Sequence, residues 1–88
     1  MTLIYHMKTF RIILSGASSA NYNMELDKKI FQRYLEDGIG VLRLYRWEAP
    51  SFTYGFSQDA KNEIDLVKCE MEKVDIAKRM TSGGILFH

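Results

Sequence analysis

Two rhythms of apolar residues run along this chain, and each predicts an element. Residues 10–15, FRIILS, form a β-branched apolar run closed by Gly16, the pattern of a buried strand. The small, polar stretch 16–21, GASSAN, predicts a loop in which Ser19 or Asn21 caps a helix. That helix is the clearest element, YNMELDKKIFQRYLEDG. Leu26, Ile30 and Tyr34 recur at i+4, with Met24, Phe31 and Leu35 beside them. Glu25, Lys28, Lys29, Gln32, Arg33 and Glu36 fall mostly on the other side, and Gly38 supplies the stop.

The rhythm then shortens. In GVLRLYRW, Val41, Arg43, Tyr45 and Trp47 alternate with Leu42, Leu44 and Arg46, so both faces of this strand carry bulky apolar residues and an arginine. After the turn at residues 48–50, residues 51–58 read as a second strand interrupted by Gly55, and such a glycine marks a bulge or a close approach by backbone or ligand. DAKNEIDLVKCEMEKV is helical in part, capped by Asp59 or Asp65, with Ile64, Val67, Met71 and Val74 spaced as a buried stripe. DIAKR reads as a short strand, MTSGG as a turn and ILFH as the opening of one more strand. The order is β-α-β-β-α-β-β, and the expected fold is α/β (α+β), a mixed sheet with packed helices.

At 88 residues the chain is one domain at most, and a domain of this size buries only about 60 to 65% of its unfolded surface. A 47% hydrophobic, 26% charged composition argues against disorder. The net charge of +1 supplies no bulk attraction to nucleic acid or membrane, so neither is expected as a partner and any anion site must be local. The N-terminal stretch carries Lys8 and Arg11 within its apolar residues and lacks a signal-peptide cleavage pattern. No run approaches the ~18 apolar residues that span a bilayer. The lone cysteine, Cys69, has no CxxC partner and no nearby histidine, so it reads as a packing or surface residue, and no metal site is expected. A single cysteine suits a reducing, cytoplasmic setting. His6 has no partner pattern and reads as inert. Glu25, Asp27, Glu36 and Asp37 sit on or beside a solvated helix face and form no acid–base pair.

Two stretches invite a chemical reading beside a structural one. The backbone N–H groups of the turn in KRMTSGGILFH can converge on an anion, with Lys78 and Arg79 adding charge. Ser-Gly-Gly between two strands is equally a plain hairpin turn. Tyr45, Trp47, Phe52, Tyr54 and Phe56, with Arg43 and Arg46 among them, can line an elongated apolar pocket or serve as the large side chains of a thin core.

Three stretches taken together resemble the N-terminal part of the lipoate–protein ligase A and octanoyltransferase family, relatives of the biotin–protein ligases. ANYNMELDKKIF is similar to the family's first helix, and VLRLYRWEAPSFTYGFSQD to its strand pair. DIAKRMTSGGILFH is similar to its most specific signature, Arg-Arg-x-Ser/Thr-Gly-Gly-Gly/Arg-Ala/Gly-Val-x-His-Asp. The resemblance runs from Phe10 to His88 in order and spacing. It departs at Ser82, where the family has the first loop glycine, at Met80, in the variable position, and at Lys78, where many members have arginine.

The resemblance implies an enzyme that attaches lipoyl or octanoyl groups to a lysine of carrier domains in oxoacid dehydrogenase or glycine-cleavage proteins. The ligases form an acyl-adenylate from ATP with magnesium; the octanoyltransferases take the acyl group from acyl carrier protein and need neither. It assigns acyl-adenylate and ATP binding to Arg79, Gly83, Gly84, Ile85, Leu86 and Phe87. It places Tyr45, Arg46 and Gly55 along the acyl pocket, and gives Lys78 and His88 accessory positions. The family's catalytic lysine and nucleophilic cysteine lie beyond the Gly-rich motif, so residues 1–88 are expected to be the N-terminal portion of the catalytic domain, truncated at that motif, with no catalytic residue and no activity alone. ILFH is expected to lack a partner strand, and a second polypeptide is one way to complete the domain. The alternatives are a non-catalytic binding or assembly fragment, and biotin as the acyl group. Ligase and octanoyltransferase stay undivided.

Overall fold

The apolar run of residues 10–15 extends in both directions, into the 11-residue strand β2 (Lys8–Ser18) of a computed structural model. The structure describes residues 2–5 and 8–88, with side chains from Phe10 onward; His6 lies outside the described residues. A strand that the polar–apolar pattern did not signal, β1 (Thr2–Tyr5), pairs antiparallel with β2. The expected loop at residues 16–21 is a correction as well, since residues 16–18 continue the strand. The register against β3 (Gly40–Trp47) steps from Leu14↔Leu44 to Gly16↔Tyr45, which leaves Ser15 as the extra residue of a bulge. Gly16 takes φ 70°, a conformation that suits a residue without Cβ.

Helix α1 (Ala20–Asp37) starts and stops where the sequence places its signals. Ser19, not Asn21, is the N-cap, its Oγ accepting from the Tyr22 N–H at 3.1 Å. Gly38 closes the helix at φ 70°, donating to the Tyr34 carbonyl at 2.8 Å. A distant carboxylate secures the N-terminal end of the helix: Asp75 Oδ2 accepts from the Ala20 N–H at 2.8 Å. Ala20 and Asn23 are fully buried, Leu26 and Ile30 half-buried, and Phe31, Tyr34 and Leu35 exposed.

The second expected helix is two short ones, α2 (Ala60–Glu63) and α3 (Leu66–Met71), because Asp59 and Asp65 each cap a start. That break resets the helical phase and overturns the predicted stripe. Val67 and Met71 are exposed, and the buried residue of α3 is Cys69, which is a packing cysteine. Strand β4 (Ser51–Tyr54) stops short of Gly55 and runs parallel to β5 (Asp75–Lys78) and antiparallel to β6 (Leu86–Phe87). The strand order β5-β4-β6 rules out a hairpin at the Gly-rich turn. It also supplies the partner that ILFH was expected to lack: the Ser51 and His88 backbones exchange both hydrogen bonds, at 3.2 and 2.8 Å.

The fold is therefore mixed α/β, the described residues forming two three-stranded sheets, β1-β2-β3 and β5-β4-β6, with α1 packed on β3, β4 and β5. Among the described residues its largest fully buried side chains are polar: Asn23, Ser51 and Thr53 are each fully enclosed. Asn23 is satisfied by donating to the carbonyls of Ser18 (3.4 Å) and Arg46 (3.1 Å), tying α1 to the ends of β2 and β3. By contrast, Leu14, Leu42 and Leu44 share an exposed patch on β2 and β3, at 72%, 54% and 55% exposure.

Candidate functional site: a guanidinium beside a Gly-rich loop, and an apolar cavity

Strand β5 delivers Arg79 to the start of the Gly-rich turn, where its N–H donates to the Tyr54 carbonyl at 2.8 Å. The guanidinium then bridges two parts of the site. Nη1 donates to Thr53 Oγ1 at 2.8 Å, and Nη2 to the Gly84 carbonyl at 2.6 Å. An arginine has five N–H donors in one plane, so this clamp leaves others for an incoming anion.

The loop lies on β4 through glycines. A Cβ on Gly55 would lie 2.5 Å from the Gly83 oxygen and 3.0 Å from its nitrogen, and Gly83 takes φ 116°. The Phe56 N–H donates to the Thr81 carbonyl at 3.0 Å, and the Gly55 N–H is held by Gln58 Oε1 at 2.8 Å. The close approach that a glycine in mid-strand signals is thus an approach of backbone to backbone.

His88 closes one side. Its Nε2 lies 2.8 Å from Thr53 Oγ1, and its ring stacks on Trp47 with centroids 4.1 Å apart. Burial, and then the positive charge of Arg79, lower the imidazole below its usual pKa. Trp47 in turn meets Tyr45 edge-on at 5.5 Å. The rings form a series from the Arg79 clamp to a cavity of about 610 Å³. That cavity is lined by Phe10, Ile30, Phe31 and Val41, and by Met80 of the Gly-rich motif. Its floor is polar. Arg43 donates to Asp27 Oδ1 (2.8 Å), Asn23 Oδ1 (2.8 Å), the Asn23 carbonyl (3.2 Å) and the bulged Ser15 Oγ (2.8 Å). The guanidinium also lies 4.0 Å over the Tyr45 ring. Tyr45 donates to Asp27 Oδ2 at 2.9 Å, and burial first, then this carboxylate, push its phenol up to about 12. Tyr45 is protonated at neutral pH and acts as a wall, not a base.

The residues singled out from sequence divide accordingly. Arg79, Gly83 and Gly84 meet in the clamp. Tyr45 lines the 610 Å³ cavity, while Arg46 is exposed on the alternate face of β3 and Gly55 supports the Gly-rich loop. Ile85 faces a separate apolar cavity of about 480 Å³ with Phe52, Cys69 and Val74. Leu86 and Phe87 pair with β4, Phe87 against Phe52 at 5.1 Å, and Lys78 is exposed. Thr53 and Asp27 were not singled out for the site. A threonine at an inward strand position looks like a solvent-facing one, and an aspartate among lysines on a helix looks like surface. Only the first has a faint signal, in the Ser51/Thr53 alternation.

Among the described residues no helix is long and apolar enough to cross a membrane, and no three His, Cys, Asp or Glu side chains gather as a metal site.

Residues 19–88 match the family model of the lipoyl protein ligase A/B catalytic domain. The chain is 34% identical over 83 residues to octanoyltransferase LipM of Carboxydothermus hydrogenoformans and 32% identical to LipM of Clostridioides difficile. In both cases the match takes in 93% of this chain and 31% of the relative, so the chain spans about a third of the length of these curated relatives. The solved structure of protein Ta0514 from T. acidophilum, assigned provisionally as a lipoate protein ligase, superposes with a TM-score of 0.64 at 26% identity, over 90% of this chain and 33% of that one. A mixed α/β unit with an Arg-clamped Gly-rich loop, matched over most of its length by that family model, belongs to the lipoyl protein ligase A/B catalytic domain family.

Proposed function

We propose that this chain forms the acyl- and phosphate-recognising part of a lipoate or octanoate attachment site. The observation that carries the reading is the continuity between the Arg79 clamp and the Tyr45 cavity, through the His88 and Trp47 rings. An acyl-adenylate is an anion joined to a long apolar chain. A guanidinium with unused donors beside a Gly-rich backbone suits the first part, and a cavity of about 610 Å³ suits the second. In this reading Arg79 takes the phosphate or carboxyl oxygen. Gly83 and Gly84 let backbone approach it, and Ile85, Leu86 and Phe87 carry the loop back into the sheet. Tyr45 walls the acyl chain, Gly55 seats the loop and Lys78 adds a peripheral charge. Arg46 is the poorest fit of the set.

The substrate is a lipoyl or octanoyl group destined for a carrier-domain lysine. A ligase route brings ATP with magnesium; a transferase route brings acyl carrier protein and neither of these. The expected setting is cytoplasmic. The family's catalytic lysine or cysteine has no counterpart in residues 1–88, so binding without turnover is expected of this chain by itself. The test is titration with a non-hydrolysable octanoyl-adenylate analogue, together with acyl transfer to a lipoyl-domain acceptor. Binding weakened tenfold or more by Arg79→Ala supports the reading. Robust transfer by the isolated chain overturns the expected inactivity.

A second reading is a binding or assembly unit without chemistry, completed by another polypeptide. The exposed Leu14, Leu42 and Leu44 patch favours it. A stable chain that ignores the analogue but captures a partner over that patch would decide for it.

A further inference from the structure

The buried hydroxyl of Thr53 stands between the two polar side chains of the site. Thr53 is fully enclosed, and its Oγ1 lies 2.8 Å from Arg79 Nη1 and 2.8 Å from His88 Nε2. Among the described residues these two atoms are its partners. Arginine only donates, so Arg79 occupies a lone pair of the hydroxyl. The imidazole nitrogen has two options. If Nε2 carried a proton and donated it, both lone pairs of Oγ1 would be used and the hydroxyl proton would be enclosed without an acceptor. If Nε2 is bare, the hydroxyl donates to it, and both the enclosed hydroxyl and Nε2 are satisfied. Buried polar groups take the satisfied arrangement. The Arg79 charge beside the trio also disfavours a doubly protonated ring.

We infer that Thr53 is the positioning residue of this site: its hydroxyl accepts from Arg79 and donates to Nε2 of His88, so that one enclosed oxygen orients the guanidinium and selects the imidazole tautomer protonated on Nδ1. Arg79 Nη1 is thereby held while Nη2 reaches the Gly84 carbonyl, which sets the plane of the guanidinium against the Gly-rich loop. The ring, stacked on Trp47, is held so that Nδ1–H is its remaining donor. An anion entering beside Arg79 would then meet a site with ordered donors and no competing acceptor on His88. The extension to acyl-adenylate rests on the proposed function; the tautomer assignment does not.

The tautomer is read from long-range 1H–15N correlations of the histidine ring in the intact, ligand-free chain, with His6→Gln separating the two histidines. The expected wild-type spectrum at pH 7.5 shows His88 protonated on Nδ1 and bare on Nε2. Thr53→Ser keeps that pattern. Thr53→Val, close to isosteric, gives mixed tautomers and a broadened Arg79 Nε–H signal. A dominant Nε2–H form in the wild type, or a Thr53→Val spectrum matching the wild type, overturns the inference. If Thr53→Val does not fold, the wild-type spectrum and Thr53→Ser still decide it. Titration with the octanoyl-adenylate analogue is the second arm. Thr53→Val is expected to weaken binding roughly tenfold and Thr53→Ser to restore it. Binding by wild type and Thr53→Val with equal affinity overturns the positioning role. The predicted tautomer with no binding by any variant leaves Thr53 as the organiser of Arg79 and His88 and overturns the acyl-adenylate reading instead.

Discussion

Gly55 and Gly83 touch backbone to backbone: a Cβ on Gly55 would lie 2.5 Å from the Gly83 oxygen. The end of β4 is thereby the seat of the Gly-rich loop, and the loop cannot keep its place if that seat gains a methyl group. Gly55→Ala is expected to cost about 2 kcal/mol, a fall in Tm of roughly 8 to 16 °C for a domain of this size. Analogue binding should weaken in parallel, because the loop carries the Gly84 carbonyl that holds Arg79. Thermal melts and titration of the same variant check both effects. An unchanged Tm would show that the loop shifts freely.

Arg43 is a structural cation. Its side chain is 4% exposed, and it serves Asp27, Asn23 and Ser15 at once. Arg43→Met fills similar space but leaves Asn23 Oδ1 and Asp27 Oδ1 without their guanidinium donor, with Tyr45 still donating to Asp27 Oδ2. The expected loss is about 3 kcal/mol, measured by urea denaturation. Replacing Arg43 and Asp27 together by apolar residues should cost less than the sum of the single changes.

Lys73 follows α3 at φ 57°, the only non-glycine with positive φ among the described residues. An L side chain there is strained, and glycine is not. Lys73→Gly is therefore expected to raise stability by up to about 1 kcal/mol, the opposite of what glycine does in a helix interior. A lower urea midpoint for this variant would contradict the strain.

Burial, and then the charge of Arg79, hold the His88 imidazole below its ordinary value of 6.5. As the pH falls, the unfolded chain therefore takes up this proton before the folded one does. The His88 contribution is intact above about pH 6.5 and is lost as the pH falls through the lowered folded-state value. Urea midpoints measured from about pH 8 down to about pH 5 should decline more steeply below 6.5 in the wild type than in His88→Gln. His6 is common to both chains and cancels. Parallel curves would remove His88 from the linkage.

Local signals carried far along this chain. The cap at Ser19, the stop at Gly38 and the strand GVLRLYRW were all legible, because each depends on side chains reaching their own neighbouring backbone or on a short alternation. The stripe through Ile64, Val67, Met71 and Val74 misled. It assumed one continuous helical phase, and Asp65 breaks that phase by capping a second start. The Gly-rich turn was ambiguous for another reason. A hairpin and a crossover to the far side of β4 place the same residues in the turn, and only strand order separates them.

The sequence by itself determined the family, the principal helix and the motif that holds Arg79, Gly83 and Gly84, because spacing and residue type survive in one dimension. Tertiary structure alone decided that Gly55 seats the loop, that Thr53 joins Arg79 to His88, and that Arg43, Asp27 and Tyr45 make a cavity floor rather than surface. The physical reason is the separation along the chain: 26 residues divide Thr53 from Arg79 and 35 divide it from His88. A hydroxyl declares its partners only when strands far apart in sequence are laid side by side.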